Sequence, residues 1–343
     1  MANVITMGEI MLRLSTPNNE RLLQADELDV CYGGGEANVA VSLAGFGHNT
    51  QFVTKLPKNP LGDCACAALR KMNVGTDFVA RGGERLGIYF LETGSAMRPS
   101  GVVYDRAHSS MSEAEACDFD WERIFKGADL FHFSGITPAI SAKAATLATE
   151  AVKAAKKAGA LVSCDINYRS KLWTFEEAQK TMMTLMPYVD WFFGSAGDGK
   201  MVLGEPKESA FGGSRSFNEE MDRKVYERLV NEFGFSYIIS SERESVSASD
   251  NGLSACLYNG KTKELIYSKK YRITPIVDRV GGGDALTGGV LCGLLEKRSD
   301  ADALEFGVAA SALKHTIRGD FNIVRRDEVE LLRGGDQSGR VQR

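Results

Sequence analysis

The sequence predicts an α/β protein built on a mainly parallel sheet, and three observations carry that expectation. Short apolar runs of strand length alternate with longer segments whose apolar residues recur at helical spacing. Two glycine clusters, Gly33-Gly34-Gly35 and Gly281-Gly282-Gly283, each lead into such a helical segment. One break in the rhythm, between residues 87 and 106, sets two strand-like runs in succession with no helix between them.

Taken in order, Val4 to Met7 is a short apolar strand running into Gly8-Glu9, and Met11 to Leu14 continues with alternation. Polar residues 17–21 and the stretch Leu22 to Tyr32 precede the first glycine cluster. Beyond it Val39, Leu43 and Phe46 mark a helix face that stops at Gly47. Gln51 to Leu56 reads as a strand and Cys64 to Met72 as a helix. Gly87 to Glu92 and Gly101 to Arg106, joined by a polar loop containing proline, predict an antiparallel excursion and a small lid.

Alternation resumes with a helix around Trp121 to Phe125, the strand Leu130 to Ser134, an alanine-rich helix from Ser141 to Lys157 and the strand Leu161 to Asp165. A helix from Phe175 to Met186, with Met182, Met183 and Met186 read as core, leads to a strand at Val189 to Phe193. Glu205 to Asp222 reads as a surface loop, and Val225 to Phe233 as a helix. Tyr237 to Ser240, Val246 to Ser249 and Ser254 to Tyr258 read as strands. Tyr267 to Ile273 leads to the second glycine cluster, and Ala303 to Ile317 is a late helix. The organisation expected is one unit over 1–335, with excursions at about 11–32 and 86–108 and a polar tail at 336–343.

Composition narrows the function. The chain has 343 residues, 43% hydrophobic and 25% charged, with a net charge of -4. A chain with no basic footprint is a poor partner for nucleic acid, and no apolar run reaches membrane-spanning length. The N-terminus has no basic region ahead of an apolar core, so a cytoplasmic protein is expected. Seven cysteines, odd in number and mostly in apolar surroundings, fit reduced thiols; Cys64 and Cys66 lie too close for C-x-x-C chemistry.

The chemistry concentrates at Asp278-Arg-Val-Gly-Gly-Gly-Asp284. A glycine turn feeding a helix leaves unpaired N–H groups and the positive end of the helix dipole exposed, which suits a phosphate. A carboxylate there repels a merely bound anion. Asp284 therefore either caps its helix or takes a proton from a hydroxyl attacking that phosphate. Ligands of open α/β sheets collect at strand carboxyl ends, which brings in Asn167 and Arg169 after the strand ending at Asp165. Asp165 and Asp278 read as metal or water contacts or as structural hydrogen-bonding groups, and His108 and His315 as structural histidines or site residues.

Those residues, together with Gly33-Gly34-Gly35-Glu36-Ala37-Asn38, give the chain a resemblance to the ribokinase-like (PfkB) sugar kinases, whose late signature runs approximately D-T-x-G-A-G-D and whose early one is G-G-x-x-x-N. Within that family it resembles the 2-keto-3-deoxygluconate kinases at Gly8 to Ser15, Lys55 to Asp63, Val103 to Ser109, Phe133 to Pro138, Asp165 to Arg169 and Val277 to Gly281. The resemblance implies a three-layer α/β/α sandwich with a β-sheet lid. It implies ATP and Mg²⁺ as cofactors and a sugar acid phosphorylated on its terminal hydroxyl.

Carried over, it makes Asp284 the base and gives Gly281, Gly282 and Gly283 the amides that face the phosphoryl group. It places Gly34, Asn38, Tyr89, Tyr104, Arg106, Ile136, Arg169 and Asp320 at the sugar. Asn167, Tyr168 and Arg169 fall at the nucleotide, as do Ser241, Arg243 and Ser245 in a turn spanning Ser241 to Val246, and Asp198 falls near the metal. A homodimer or higher assembly through the lid is implied as well. Arg106 and Arg169 suit the substrate's carboxylate, because guanidinium geometry matches it.

Three segments depart from the family pattern. Arg279 and Gly282 stand where threonine and alanine are usual, and Ser195-Ala-Gly-Asp198 replaces an Asn-led acidic segment that organises the metal. Glu242 would repel phosphate if it pointed inward. The alternatives are a kinase for another sugar such as fructose, or a sugar or nucleotide sensor on the same fold. A nicotinamide oxidoreductase is disfavoured, since no G-x-G-x-x-G follows the first strand.

Overall fold

The computed structural model describes residues 1–207, 216–336, 338 and 339. In chain order its elements are β1 (Asn3–Met7), β2 (Met11–Ser15), β3 (Asp29–Gly33), α1 (Gly35–Gly45), β4 (Asn49–Leu56), α2 (Pro60–Lys71), β5 (Val79–Arg81), β6 (Ile88–Glu92) and β7 (Gly101–Asp105). Then come α3 (Trp121–Phe125), β8 (Leu130–Ser134), α4 (Ile136–Ala139), α5 (Ala142–Lys157), β9 (Leu161–Asp165), α6 (Phe175–Leu185), β10 (Trp191–Phe193), α7 (Ala196–Val202) and α8 (Glu219–Phe233). The chain closes with β11 (Tyr237–Ser245), β12 (Asn251–Asn259), β13 (Leu265–Tyr267), β14 (Tyr271–Ile273), α9 (Gly282–Leu295), α10 (Asp300–Lys314) and α11 (Arg326–Arg333).

The main sheet runs β13-β12-β11-β10-β9-β8-β1-β4-β5, with β14 also on β12. Every pairing from β11 across to β5 is parallel, and those of β12 are antiparallel. Parallel strands carry apolar residues on both faces because helices cover both. In β8, Leu130 packs into the cluster containing Val39, Leu286 and Leu304, whereas Phe131 and Phe133 pack on the other side with Leu147 and Met182. That alternation makes the three layers. Successive strands are laid down in opposite directions from β1 and β8, so their carboxyl ends form a topological switch point, where such sheets bind ligands.

A second, four-stranded sheet has the order β3-β2-β6-β7. Its register places Cys31, Arg13, Tyr89 and Tyr104 in one cross-strand row. The next row, Val30, Leu14, Phe90 and Val103, lies on the opposite face because strand side chains alternate. The antiparallel excursion expected around residues 87–106 is β6 paired with β7.

Several expectations need correction. Val246–Ser249 is no strand: β11 runs unbroken to Ser245 and pairs with β12 from Asn251, so these residues form the turn between them. The same finding removes the expected nucleotide turn at Ser241, since 241–245 are strand. Glu219–Asp222 belongs to α8, whose N-cap Asn218 accepts from the Met221 N–H. Residues 208–215 of the expected surface loop, and 337 and 340–343 of the expected tail, lie outside the described residues. Met182 and Met186 are buried, but Met183 is exposed. Helices α7 and α11 carry no expectation above.

Candidate active site

Two helix N-termini meet at the switch point. Helix α9 starts after Gly281, whose φ of 82° is open to glycine but costly for other residues. Helix α1 starts after Gly34, where a Cβ would overlap the Glu9 carbonyl oxygen. Asp284 lies in the first turn of α9, and Asn38 in that of α1. The Asn38 Nδ2 donates to Asp284 Oδ2 at 2.6 Å. The other oxygen, Oδ1, lies 3.7 Å from the position of a Cβ on Gly35, as does Asn167 Nδ2. One carboxylate oxygen and one amide thus flank the same spot beside Gly35, at ordinary contact distance from it.

Of the two local readings of Asp284, helix capping fails: the N-cap is Gly281, and no side chain caps the helix. Burial raises the Asp284 carboxyl to about 6; the Asn38 bond and the Arg169 charge oppose that rise, and Asp320 and Glu36 add to it. A carboxylate in that range accepts a proton near neutrality and gives it up again.

The amide cradle differs from expectation at one residue. Among the described residues the N–H groups of Gly281, Gly283 and Asp284 have no hydrogen-bond partner, as the first turn of a helix leaves them. The Gly282 N–H, by contrast, donates to the Arg279 carbonyl at 3.2 Å, and Gly282 is buried. Its glycine is a packing requirement, since a Cβ would run into the His315 ring. His315 is itself buried, with Nδ1 2.7 Å from the Ser311 carbonyl oxygen, and burial lowers its pKa to about 4. It is a neutral packing residue.

Beside Gly283 opens a cavity of about 300 Å³ lined by Asp165, Asn167, Tyr168, Arg169, Ser195 and Asp198, with Ser241 on the far wall. Burial raises Asp165 to about 7, helped by repulsion from Asp284. Asp198 is also raised by burial, although its Oδ2 accepts from the Ser195 N–H at 2.8 Å and the Ser195 hydroxyl at 2.6 Å. The departure from the family's Asn-led segment is thus a capping box on α7. Two carboxyls crowded into one polar cavity are a fitting donor set for a hard divalent cation.

Period-two alternation in β11 puts Ser241, Arg243 and Ser245 on one face and Glu242 and Glu244 on the other. Glu244 pairs with Lys270 at 2.5 Å, and the Glu242 charge is felt by Lys270 and Cys256. Glu242 therefore points away from the cavity. Arg243 is half-buried and feels the charges of Arg279 and Arg169. Ser245, at the exposed end of the strand, does not line the cavity. Arg279 reaches the turn after β11, donating to the Ala248 carbonyl at 3.1 Å.

Of the residues expected at the sugar, the structure gathers Gly34, Asn38, Tyr89, Tyr104 and Asp320, but several are already bonded to protein. The Tyr89 hydroxyl donates to Asp320 Oδ2 at 2.6 Å, and Arg13 Nη1 to Asp320 Oδ1 at 2.8 Å. Arg106 is buried, with Nε donating to Glu9 Oε2 at 2.8 Å and Nη2 to the same oxygen, and its guanidinium lies 5.5 Å from the Tyr104 ring centre. Arg169 is exposed and forms no ion pair with a described carboxylate. Ile136 opens α4, half-buried, with its N–H on the Ser134 hydroxyl. His108 is exposed, with Nδ1 3.3 Å from Glu113 Oε1.

The sequence reading missed Arg13 and Glu36 beneath the site, while Asp278 takes the structural hydrogen-bonding role that was one of its two readings. Arg13 Nη2 donates to Asp278 Oδ2 at 2.6 Å, and Asp278 also accepts the N–H groups of Val280 and Gly319 at 3.0 Å. Glu36 is buried, with Oε1 accepting from Ser134 and Thr137 hydroxyls at 2.7 Å each. An arginine inside the alternating run Met11-Leu-Arg-Leu14 was the available signal for Arg13.

An open nest of N–H groups, a carboxylate titrating near neutrality and a polar cavity at the carboxyl ends of a doubly covered parallel sheet define a small-molecule kinase of ribokinase-like fold. The chain belongs to the pfkB family of carbohydrate kinases, which residues 1–323 match. It is 33% identical over 98% of both chains to the 2-dehydro-3-deoxygalactonokinase of Haloferax volcanii. It is 25% identical to the 2-dehydro-3-deoxygluconokinase of Bacillus subtilis, over 93% of this chain and 91% of that one. Among solved structures, the 2-dehydro-3-deoxygluconokinase of Thermotoga maritima is 47% identical, covers 98% of this chain and 100% of its own, and superposes with a TM-score of 0.91.

Proposed function

We propose that the protein transfers the terminal phosphoryl group of ATP to the terminal hydroxyl of 2-keto-3-deoxygluconate. The observation that carries this reading is the placement of Asp284: one oxygen fixed by Asn38, the other without a hydrogen-bond partner among the described residues, in the same helix turn as unpaired amides. Asp284 Oδ1 takes the hydroxyl proton as the oxygen attacks. The N–H groups of Gly281, Gly283 and Asp284 hold the transferring oxygens as charge develops on them. Asn38 acts through Asp284 by holding it in the accepting orientation.

The substrate's carboxylate calls for a free guanidinium. Arg169 supplies one, and Arg106 keeps Nη1 available while Glu9 occupies its other nitrogens. Asn167, Tyr168, Ser241 and Arg243 would border the nucleotide. Asp165 and Asp198 would hold Mg²⁺ directly or through water, and the ion would screen the triphosphate charge. The small sheet acts as the lid, its Tyr89 and Tyr104 row facing the sugar.

The opposite row, with Val30 63% and Val103 56% exposed, supports pairing with a second copy. Unpaired thiols at all seven cysteines fit a cytoplasmic enzyme, and no helix of the described residues is long and apolar enough to cross a membrane.

The test is a screen for ADP release over 2-keto-3-deoxygluconate, its galactonate epimer, fructose and ribose, with the phosphorylated position read by NMR. Turnover on the keto-deoxy acids at their terminal oxygen is expected. A preference for a neutral sugar would remove the substrate assignment, and binding without turnover would favour a sensor.

A further inference from the structure

Lys314, the last residue of α10, has no exposed surface, which is rare for a lysine without a carboxylate partner. Its Nζ donates to two backbone carbonyls instead, Ile317 at 3.2 Å and Asp278 at 3.4 Å. Those carbonyls belong to the two chain segments that build the floor of the site: one leads into the glycine turn, the other into Asp320. The lysine stem also lies directly under the turn, with Cε 3.3 Å from where a Cβ on Gly281 would be.

The surrounding charges give this ammonium a second task. Among the described residues Arg13 is the one other cation paired with these carboxylates, and it is shared by Asp278 and Asp320. One guanidinium against two carboxylates leaves one negative charge uncompensated, directly beneath amides that must receive a phosphate. Lys314 brings the group to neutrality. His315, next along the chain, adds no charge because burial keeps it neutral. Burial lowers the pKa of Lys314, while Asp278, Asp320 and Asp284 favour its charged form and Arg13 opposes it.

We infer that Lys314 is a positioning residue for phosphoryl transfer: it ties the Asp278 turn to the Ile317–Asp320 segment and cancels the excess negative charge under the amide nest. This inference rests on the proposed reading of the nest as the phosphate site. It adds a contribution from a side chain that never touches the nucleotide.

The experiment compares affinity for a non-hydrolysable ATP analogue, by calorimetry, in the wild type, Lys314→Met, Lys314→Gln, Asp278→Asn and the double variant Lys314→Met/Asp278→Asn. Removing the lysine charge alone is expected to weaken the analogue about tenfold or more, as an unbalanced buried carboxylate repels the phosphates. The glutamine variant should bind as weakly as the methionine one, since it restores a donor without the charge. The double variant, neutral again, should recover most of the affinity despite losing two polar groups, a rescue that a purely structural lysine would not give. Lysine single variants that bind the analogue within twofold of the wild type, or a double variant no tighter than Lys314→Met, would overturn the inference. If the single lysine variants fail to fold, the charge-balanced double variant is still expected to fold; its failure would count equally against the inference. A wild type that binds no analogue would instead remove the phosphate-site reading itself.

Discussion

Replacing Asn38 by leucine, close in volume but unable to donate, removes the 2.6 Å bond that holds Asp284 in its charged form. Hydrogen bonds to charged groups contribute about 1.5–3 kcal/mol, equivalent to about 1–2 units of pKa. Asp284 stands at about 6 with the bond in place and rises without it. The base must be unprotonated to act, so the acid limb of kcat/KM moves to higher pH by about 1–2 units. Activity in the variant falls about 5- to 50-fold at about pH 6 and recovers largely in alkaline buffer. The assay is coupled ADP release with the accepted sugar acid across the pH range. An acid limb that stays where the wild type has it would refute the claim that Asn38 sets the ionisation of the base.

Other outcomes follow from the same contacts. The folded-state pKa of Asp284, about 6, lies above the ordinary aspartate value of 3.8, so the carboxylate weakens the fold, at a cost that grows as pH rises toward 6 and is complete above it. Asp284→Asn should therefore stabilise the protein by about 1–3 kcal/mol in alkaline buffer, with the gap closing in acid; thermal unfolding at several pH values checks this. Arg106→Met leaves Glu9 buried without its partner and should cost about 3–5 kcal/mol of stability by the same measurement. Arg169→Ala, at an exposed side chain, should leave the melting temperature in place while raising KM more for a keto-deoxy acid than for a neutral sugar. Light scattering should give at least a dimer mass, and Val30→Lys with Val103→Lys should yield monomer.

How much of this was legible in the sequence depended on whether a signal was local. Leu130–Ser134 and Leu161–Asp165 are strands at the expected limits because buried parallel strands are continuous apolar runs between helical patterns. Val246–Ser249 misled because one valine among serines resembles a strand, whereas the pairing of Ser245 with Asn251 makes it a turn. Helix α7 was hidden by its glycines, and α11 by a polar sequence in which Val329 is the one fully buried residue. In the site, Asp284 and Asn38 stood out because each belongs to a glycine-marked helix start. Arg13, Glu9 and Lys314 did not, since their importance comes from partners far away in the chain. The expected sugar contacts Tyr89, Asp320 and Arg106 were found together, but with their polar groups largely bonded to protein.

Turnover by Asp284→Asn, measured beside its affinity for ADP, tests the central claim most directly. Loss of a positioned base should lower kcat by about 10²–10⁴-fold. ADP affinity should hold or tighten, because the nest is intact and a repelling charge is gone. A variant that turns over at close to the wild-type rate would contradict the assignment of Asp284 as the group that takes the proton.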